Sequence, residues 1–287
     1  LAPTAAAEPP KHALRPDPPA TGTSPHAVRG DVGQAQVLHH LTNSLPHTQS
    51  GYTLRSHAIL RAQHEDGLAV AATTRGAYPV TIGVLGARAA DVVDGVRYER
   101  LLPWVLHGDP ARRAEVEVDL LVRTARRFAP DVVHATTPHT TGAAARAAAR
   151  RLGVPWVYEV RGLPEETWAA SHRTPEARRA AEASGRYALV RAKETELALA
   201  ADHVVTLSET MRAELVGRGV PGSRVTVVPN AVPTSLLDAA HPTPDAARER
   251  LGIPARGPVV GTVSSVVAAE GLDAGRRAVA ALRAGGG

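Results

Sequence analysis

Residues 132–162, VVHATTPHTTGAAARAAARRLGVPWVYEVRG, read as a strand, a helix and a second strand in succession. Val132-Val133 opens the first strand as an apolar run without alternation, which suits a strand covered on both faces. Thr141–Leu152 suits a helix, and Trp156–Val160 is the next strand candidate. The same rhythm extends outward in both directions. Gln36–Leu41, Leu68–Thr73, His203–Leu207, Val225–Val228 and Val259–Val263 are further strand candidates. Tyr52–His64, Ala114–Phe128, Pro175–Ala200, Glu209–Arg218, Asp245–Leu251 and Gly271–Ala284 suit helices. In Ala114–Phe128 the residues Val116, Leu120, Leu121, Thr124 and Phe128 recur at helical spacing. Strand and helix in strict alternation predict an α/β fold, a doubly wound parallel sheet with right-handed crossovers. In such sheets ligands bind beyond the carboxyl ends of the strands, so function is expected in the loops that follow them.

Composition narrows the classes. The chain has 287 residues, 44% apolar and 21% charged, enough for one large domain or two small ones. With only nine aromatic residues, Ala, Val and Leu are expected to fill the core. Cysteine is absent, which excludes disulfide frameworks, Cys-based zinc sites and thiol catalysis. No apolar run approaches the roughly 20 residues of a membrane span. The N-terminus lacks a basic segment followed by an apolar stretch, so a cytoplasmic protein is expected. The net charge of +5 is carried almost wholly by arginine, Lys11 and Lys193 being the two lysines. The basic residues are dispersed and the aromatics too few for stacking platforms, so nucleic acid is not an expected partner. Residues 1–33 are rich in Pro and Ala without periodicity and read as a disordered tail. Both ends read as cut: the chain opens on Leu1, its single methionine is Met211, and Gly287 follows directly on a helix-like stretch.

The loops after the strands hold the candidate site. Thr42–Tyr52 leads into a helix, where Ser50, Gly51 and Tyr52 offer unpaired N–H groups and a positive dipole end to a phosphate or sugar hydroxyl. The same residues also make an ordinary strand-to-helix turn with Ser50 as N-cap. Gly51 is the loop's single glycine, so the segment is not a dinucleotide-binding fingerprint. His134 ends a strand, where an imidazole either donates to a substrate hydroxyl or serves as a structural group. With His139 it lacks a third ligand, so no metal is expected. Glu159 and Arg161 alternate and share one face, with Gly162 allowing a tight exit. They form either an Arg fork for phosphate or carboxylate, or an ion pair holding the loop. Ser208 reads as an N-cap, and Asn230 follows Pro229 after a strand, able to bond backbone or ligand.

Together, SLPHTQSGYTLRSH, DVVHATTPHT, VPWVYEVRG, ADHVVTLSETMRAELVGRGVP and RVTVVPNAV, in this order, resemble the N-terminal, acceptor-binding half of family 4 glycosyltransferases of the GT-B fold. The resemblance implies one Rossmann-like domain over residues 34–255 and the start of a nucleotide-sugar-binding domain over residues 256–287. It implies transfer of a sugar from a nucleotide-sugar donor to a carbohydrate or lipid-linked acceptor, with retention of configuration and without metal or cofactor. Ser50, Gly51, Tyr52 and Asn230 then map to substrate binding, and Arg161, Glu159 and His134 to the catalytic site. A histidine that many members carry falls on Arg161, and the family's donor-phosphate cations fall on Ser264-Ser265 and Glu270. About 30 residues follow Gly257, against the roughly 150 of a second such domain, so a truncated chain with little or no turnover of its own is expected. Two other readings stand beside this one: a nucleotide-sugar epimerase on the same fold, and a non-catalytic binding half of a split enzyme. Arg112, Arg113, Arg123, Arg126 and Arg127 lie on or near one helix, and the cytoplasmic face of a membrane is their candidate partner.

Overall fold

The structure is a computed structural model that describes residues 35–238, 240–262 and 272–284. Its centre is an eight-stranded sheet of β1 (Gln36–Leu41), β2 (Ala69–Thr74), β3 (Ala90–Val93), β4 (Val96–Glu99), β5 (Val132–Thr136), β6 (Trp156–Val160), β7 (His203–Thr206) and β8 (Val225–Val227). The spatial order is β3-β4-β2-β1-β5-β6-β7-β8, with every pairing parallel except β3 with β4. The chain therefore winds outward from β1 on one side, then returns to place β5 on the other. Between β1 and β5 the winding reverses, and an open α/β sheet has its ligand crevice at such a point.

The crossovers are α1 (Gly51–Glu65), α2 (Pro110–Phe128), α3 (His139–Leu152), the trio α4 (Pro164–Ala170), α5 (Pro175–Glu182) and α6 (Gly185–Ala200), and α7 (Glu209–Gly217). Their starts are set by side chains: Ser50, Asp109, Thr174, Ser184 and Ser208 each accept a first-turn backbone N–H. Ser184 explains one departure from the expected pattern. The anticipated single helix Pro175–Ala200 is two helices, because Ser184 turns out of α5 and its hydroxyl caps α6 at Tyr187. The β3–β4 hairpin and α4 were not anticipated. The strand expected over Val259–Val263 is not formed across 259–262, and Val263 lies outside the described residues. So do the residues of the expected tail. Beyond β8, α8 (Thr234–Leu237) and α9 (Pro244–Leu251) bury no residue, and α10 (Leu272–Ala284) follows.

The core is aliphatic and alanine-rich, as nine aromatics require, yet Tyr78, Tyr98 and Tyr158 are all fully buried. Ala145 and Ala149 of α3 let that helix approach β5 and β6 closely, against Val133, Tyr158 and Leu197. At Gly142 the fit leaves no room: a Cβ there stands 2.7 Å from Tyr158 Cε2 and 3.2 Å from Leu197 Cδ1. The tyrosine ring cannot swing aside, because its hydroxyl donates to Glu194 Oε2 at 2.5 Å, while Glu194 Oε1 accepts the His139 N–H that opens α3. Gly142→Ala is therefore expected to destabilise by about 1–3 kcal/mol through overpacking, despite alanine's better helix propensity. Urea unfolding checks this; a midpoint equal to or above wild type would refute it.

Candidate functional site at the reversal of the sheet

One face of the central strands is polar where a buried sheet is normally apolar. His39 on β1 lies beside His134 on β5, their rings stacked at 4.5 Å, and Glu159 and Arg161 follow on β6 and its exit. Helix α1 supplies the partners. Arg55 Nε donates to Glu159 Oε1 at 2.9 Å, Arg161 Nη2 donates to Glu159 Oε2 at 2.6 Å, and His134 Nε2 stands 3.3 Å from the same oxygen. Arg161 Nη1 donates further to the Tyr52 carbonyl and to Ser56 Oγ, at 2.9 and 2.7 Å. Arg55 Nη1 and Nη2 reach the carbonyls of Pro229 and Val228 and the Asn230 side-chain oxygen. Glu159 is thus a fully enclosed anion between two guanidinium groups that tie α1, β6 and the segment after β8 together.

The electrostatics follow from that enclosure. Burial alone would raise the Glu159 carboxyl, but the adjoining His134 and Arg161 hold it well below the usual carboxylate range, so it stays ionised. His39 is lowered to about 3, first by burial and then by its neighbour His134, and is neutral at physiological pH. Its Nε2 meets Gln63 Oε1 at 2.7 Å.

Above this layer opens a cleft of about 490 Å³, walled by the exits of β1, β5 and β6, the start of α1, and α4. Thr42, Asn43, Ser50, Thr137, Thr167 and the Trp168 indole are among its lining residues, and the surface they present is mostly apolar. Asn43 Oδ1 and Arg161 Nε are both buried without a hydrogen-bond partner among the described residues. Buried polar atoms are normally satisfied, and these two belong to residues of the cleft wall; His134 Nε2, Thr74 Oγ1, Glu165 Oε2 and Arg212 Nε are likewise without a hydrogen-bond partner among the described residues.

The residues singled out from the sequence are distributed around this cleft. Ser50, Tyr52 and Arg161 line it. Ser50 is spent as N-cap, in a reciprocal box with Thr53. Gly51 opens α1 with nothing near its Cβ position, and a Cβ at Gly162 would stand 3.2 Å from the Tyr52 hydroxyl. Glu159 and His134 lie beneath the lining rather than in it, and Asn230 is engaged by Arg55. Ser264 and Ser265 lie outside the described residues. Arg55, Asn43, Thr167 and Trp168 were missed; Pro164 followed by Glu165-Glu166, a helix-start signature, was the available signal for α4. Among the described residues no group of three His, Asp or Glu side chains stands close enough to hold a metal ion, and no helix is long and apolar enough to cross a membrane.

Comparison with solved structures gives the same architecture. The chain is similar to sucrose-phosphate synthase from Thermosynechococcus elongatus at 15% identity and a TM-score of 0.53, over 76% of this chain and 53% of that one. It is also similar to a glycosyltransferase from Rickettsia africae, at 13% identity and a TM-score of 0.48, over 77% and 50% of the two chains. A third is UDP-GlcNAc 2-epimerase from Methanocaldococcus jannaschii, at 12% and 0.44, over 67% and 45%. The chain thus spans about half the length of these proteins. No curated protein matches it by sequence. The model of the glycosyl transferase 4-like domain matches residues 50–231, which include the start of α1, the Glu159–Arg161 pair and Asn230. With more than half of its length matched, the chain belongs to the glycosyl transferase 4-like family.

Proposed function

We propose that this chain is the acceptor-side half of a retaining glycosyltransferase that uses a nucleotide-sugar donor and no metal. The observation that carries this reading is the cleft at the reversal of the sheet, with a buried unpartnered acceptor, Asn43 Oδ1, and donor, Arg161 Nε, on its walls. The Arg161 charge is balanced by Glu159, so the mostly apolar cleft suits a neutral acceptor better than a phosphate. Trp168 lines the cleft with the Arg186 guanidinium over its ring at 4.6 Å and His172 packed edge-on, and the rest of its indole would meet a sugar's C–H surface. The donor would face this cleft from a second domain. In the transfer, the acceptor oxygen bonds to the anomeric carbon as the bond to the donor phosphate breaks, and the hydroxyl proton passes to the leaving phosphate oxygen on the same face. The protein's task is then positioning and charge stabilisation. Asn43 and Arg161 would hold acceptor hydroxyls, whereas Glu159, His134 and Arg55 are positioning residues that act through Arg161 and through Asn230.

The test is a transfer assay on the chain joined to a complete donor domain. Trp168→Ala is expected to raise the acceptor KM about tenfold with kcat nearly unchanged, the signature of lost uniform binding, and to leave the donor KM alone. An effect on the donor KM alone would move the cleft to the donor side. Turnover of nucleotide-sugar without any acceptor would favour the epimerase reading instead.

A further inference from the structure

Between β1 and α1 the chain crosses residues 42–50 with neither helix nor strand, and Asn43 and Ser50 of that crossing line the cleft. Segments of this kind are ordinarily the mobile part of a scaffold. Here side chains that follow two neighbouring strands hold it. Arg75, after β2, donates from Nε to the Thr42 carbonyl at 3.2 Å. The Tyr78 hydroxyl donates to the Ser44 carbonyl at 2.8 Å, accepts the Ser44 N–H at 3.3 Å and stands 2.8 Å from Thr48 Oγ1. Arg100, after β4, donates from Nη1 to Ser44 Oγ at 2.6 Å and from Nη2 to the Leu45 carbonyl at 3.0 Å.

These three side chains are themselves fixed. Both guanidinium groups lie over the Tyr78 ring, 5.7 and 5.5 Å from its centroid. The Arg100 side chain is fully buried, and Asp91 Oδ2 on β3 accepts from its Nε and Nη2 at 2.8 and 2.6 Å. His47 of the loop reaches the same oxygen at 3.0 Å. A planar guanidinium has donors on two edges, so one buried arginine ties the edge of the sheet to the loop.

Asn43 is what this arrangement leaves over. Thr42 before it and Ser44 after it are both held through the backbone, while Asn43 Oδ1 meets no donor among the described residues. A neutral amide oxygen accepts an O–H or N–H and repels an anion. With its neighbours already ordered, pairing it to a ligand hydroxyl costs little further entropy.

We propose that Arg75, Tyr78 and Arg100 are positioning residues that preset Asn43 for a hydroxyl of the acceptor. None of the three lines the cleft, so they act through the loop. The inference rests on the acceptor reading of the cleft.

The experiment follows amide hydrogen exchange and calorimetric titration of the full chain with a panel of methyl hexosides. Truncating a buried arginine strands Asp91, so the leading variant is Tyr78→Phe, which keeps the ring and removes the hydroxyl. It is expected to speed exchange of the Ser44 and Thr48 amides at least tenfold, well beyond any change at the β1 and β5 amides. Its Kd for the tightest hexoside should rise at least tenfold, and the Asn43 side-chain amide signal should no longer shift on binding. Arg100→Lys should do the same, because an ammonium that pairs with Asp91 cannot also fork to Ser44 Oγ and the Leu45 carbonyl. Wild-type binding that both variants leave unchanged overturns the clamp and leaves the acceptor reading standing. Affinity lost alongside equal acceleration at every amide makes these residues merely structural, which also overturns the proposal. If the wild-type chain binds no hexoside, the acceptor reading falls and the positioning role falls with it.

Discussion

Glu159→Gln is expected to lower the stability of the domain by about 3–5 kcal/mol, the range found when one partner of a buried ion pair is removed. The carboxylate is fully enclosed and receives Arg55 and Arg161 together, so an amide in its place leaves two guanidinium groups without their shared anion. The substitution preserves shape, so the loss cannot be assigned to a cavity. For a domain of this size each kcal/mol shifts the midpoint by about 2–4 °C, and the loss is visible by calorimetry. Arg161→Ala should be destabilising for the same reason, so its effect on activity has to be read alongside its effect on folding. Replacing the pair together, Glu159→Leu with Arg161→Met, should recover part of the loss. A wild-type midpoint for Glu159→Gln would show that the buried pair does not hold the loop.

Acid is expected to weaken the fold before its surface carboxylates titrate. His39 sits at about 3 in the folded chain because of burial and of His134, against about 6.5 when unfolded. Below pH 6.5 the unfolded chain takes up a proton that the folded chain refuses, so stability falls as pH drops from 6.5 toward 3. Fully developed, this one group contributes on the order of 5 kcal/mol. Glu159 acts in the same direction over a lower window. Its folded value is depressed, so its contribution is present above the unfolded value of about 4.3 and is lost as pH falls below it. Urea midpoints measured across this range should slope downward from pH 6.5. In His39→Gln, which keeps a donor toward Gln63, the slope above pH 4.5 should flatten. An unchanged slope in that variant would assign the acid sensitivity elsewhere.

Most of the sheet was legible because its central strands are short apolar runs separated by helices of helical period, from Gln36–Leu41 to Val225–Val227. What escaped has physical reasons. The hairpin of β3 and β4 turns on Asp94-Gly95, with φ of 47° and 81°, and the pair stands between valines as a two-residue hairpin turn requires. That signal was present, but the alternation around it is only four residues on each side. The break at Ser184 is invisible to periodicity, since a capping serine costs a helix little in propensity. At the site, the rule that ligands collect beyond strand ends pointed to loops that wall the cleft, and the alternation of Glu159 and Arg161 gave their shared face. The third member, Arg55, stands 104 residues away on α1 and only the fold brings it to Glu159. Trp168 was hidden on a seven-residue helix too short to show a period.

On the proposed function, the cleft at the reversal of the sheet receives the acceptor sugar. It is tested most directly by amide and indole chemical-shift mapping of the full chain titrated with a panel of simple glycosides. A bound glycoside is expected to move the signals of Asn43, Gly51, Tyr52, Gly162 and the Trp168 indole together, with one saturation curve. Saturable shifts confined to other surfaces, or shifts at the cleft that persist unchanged in Trp168→Ala, would contradict it.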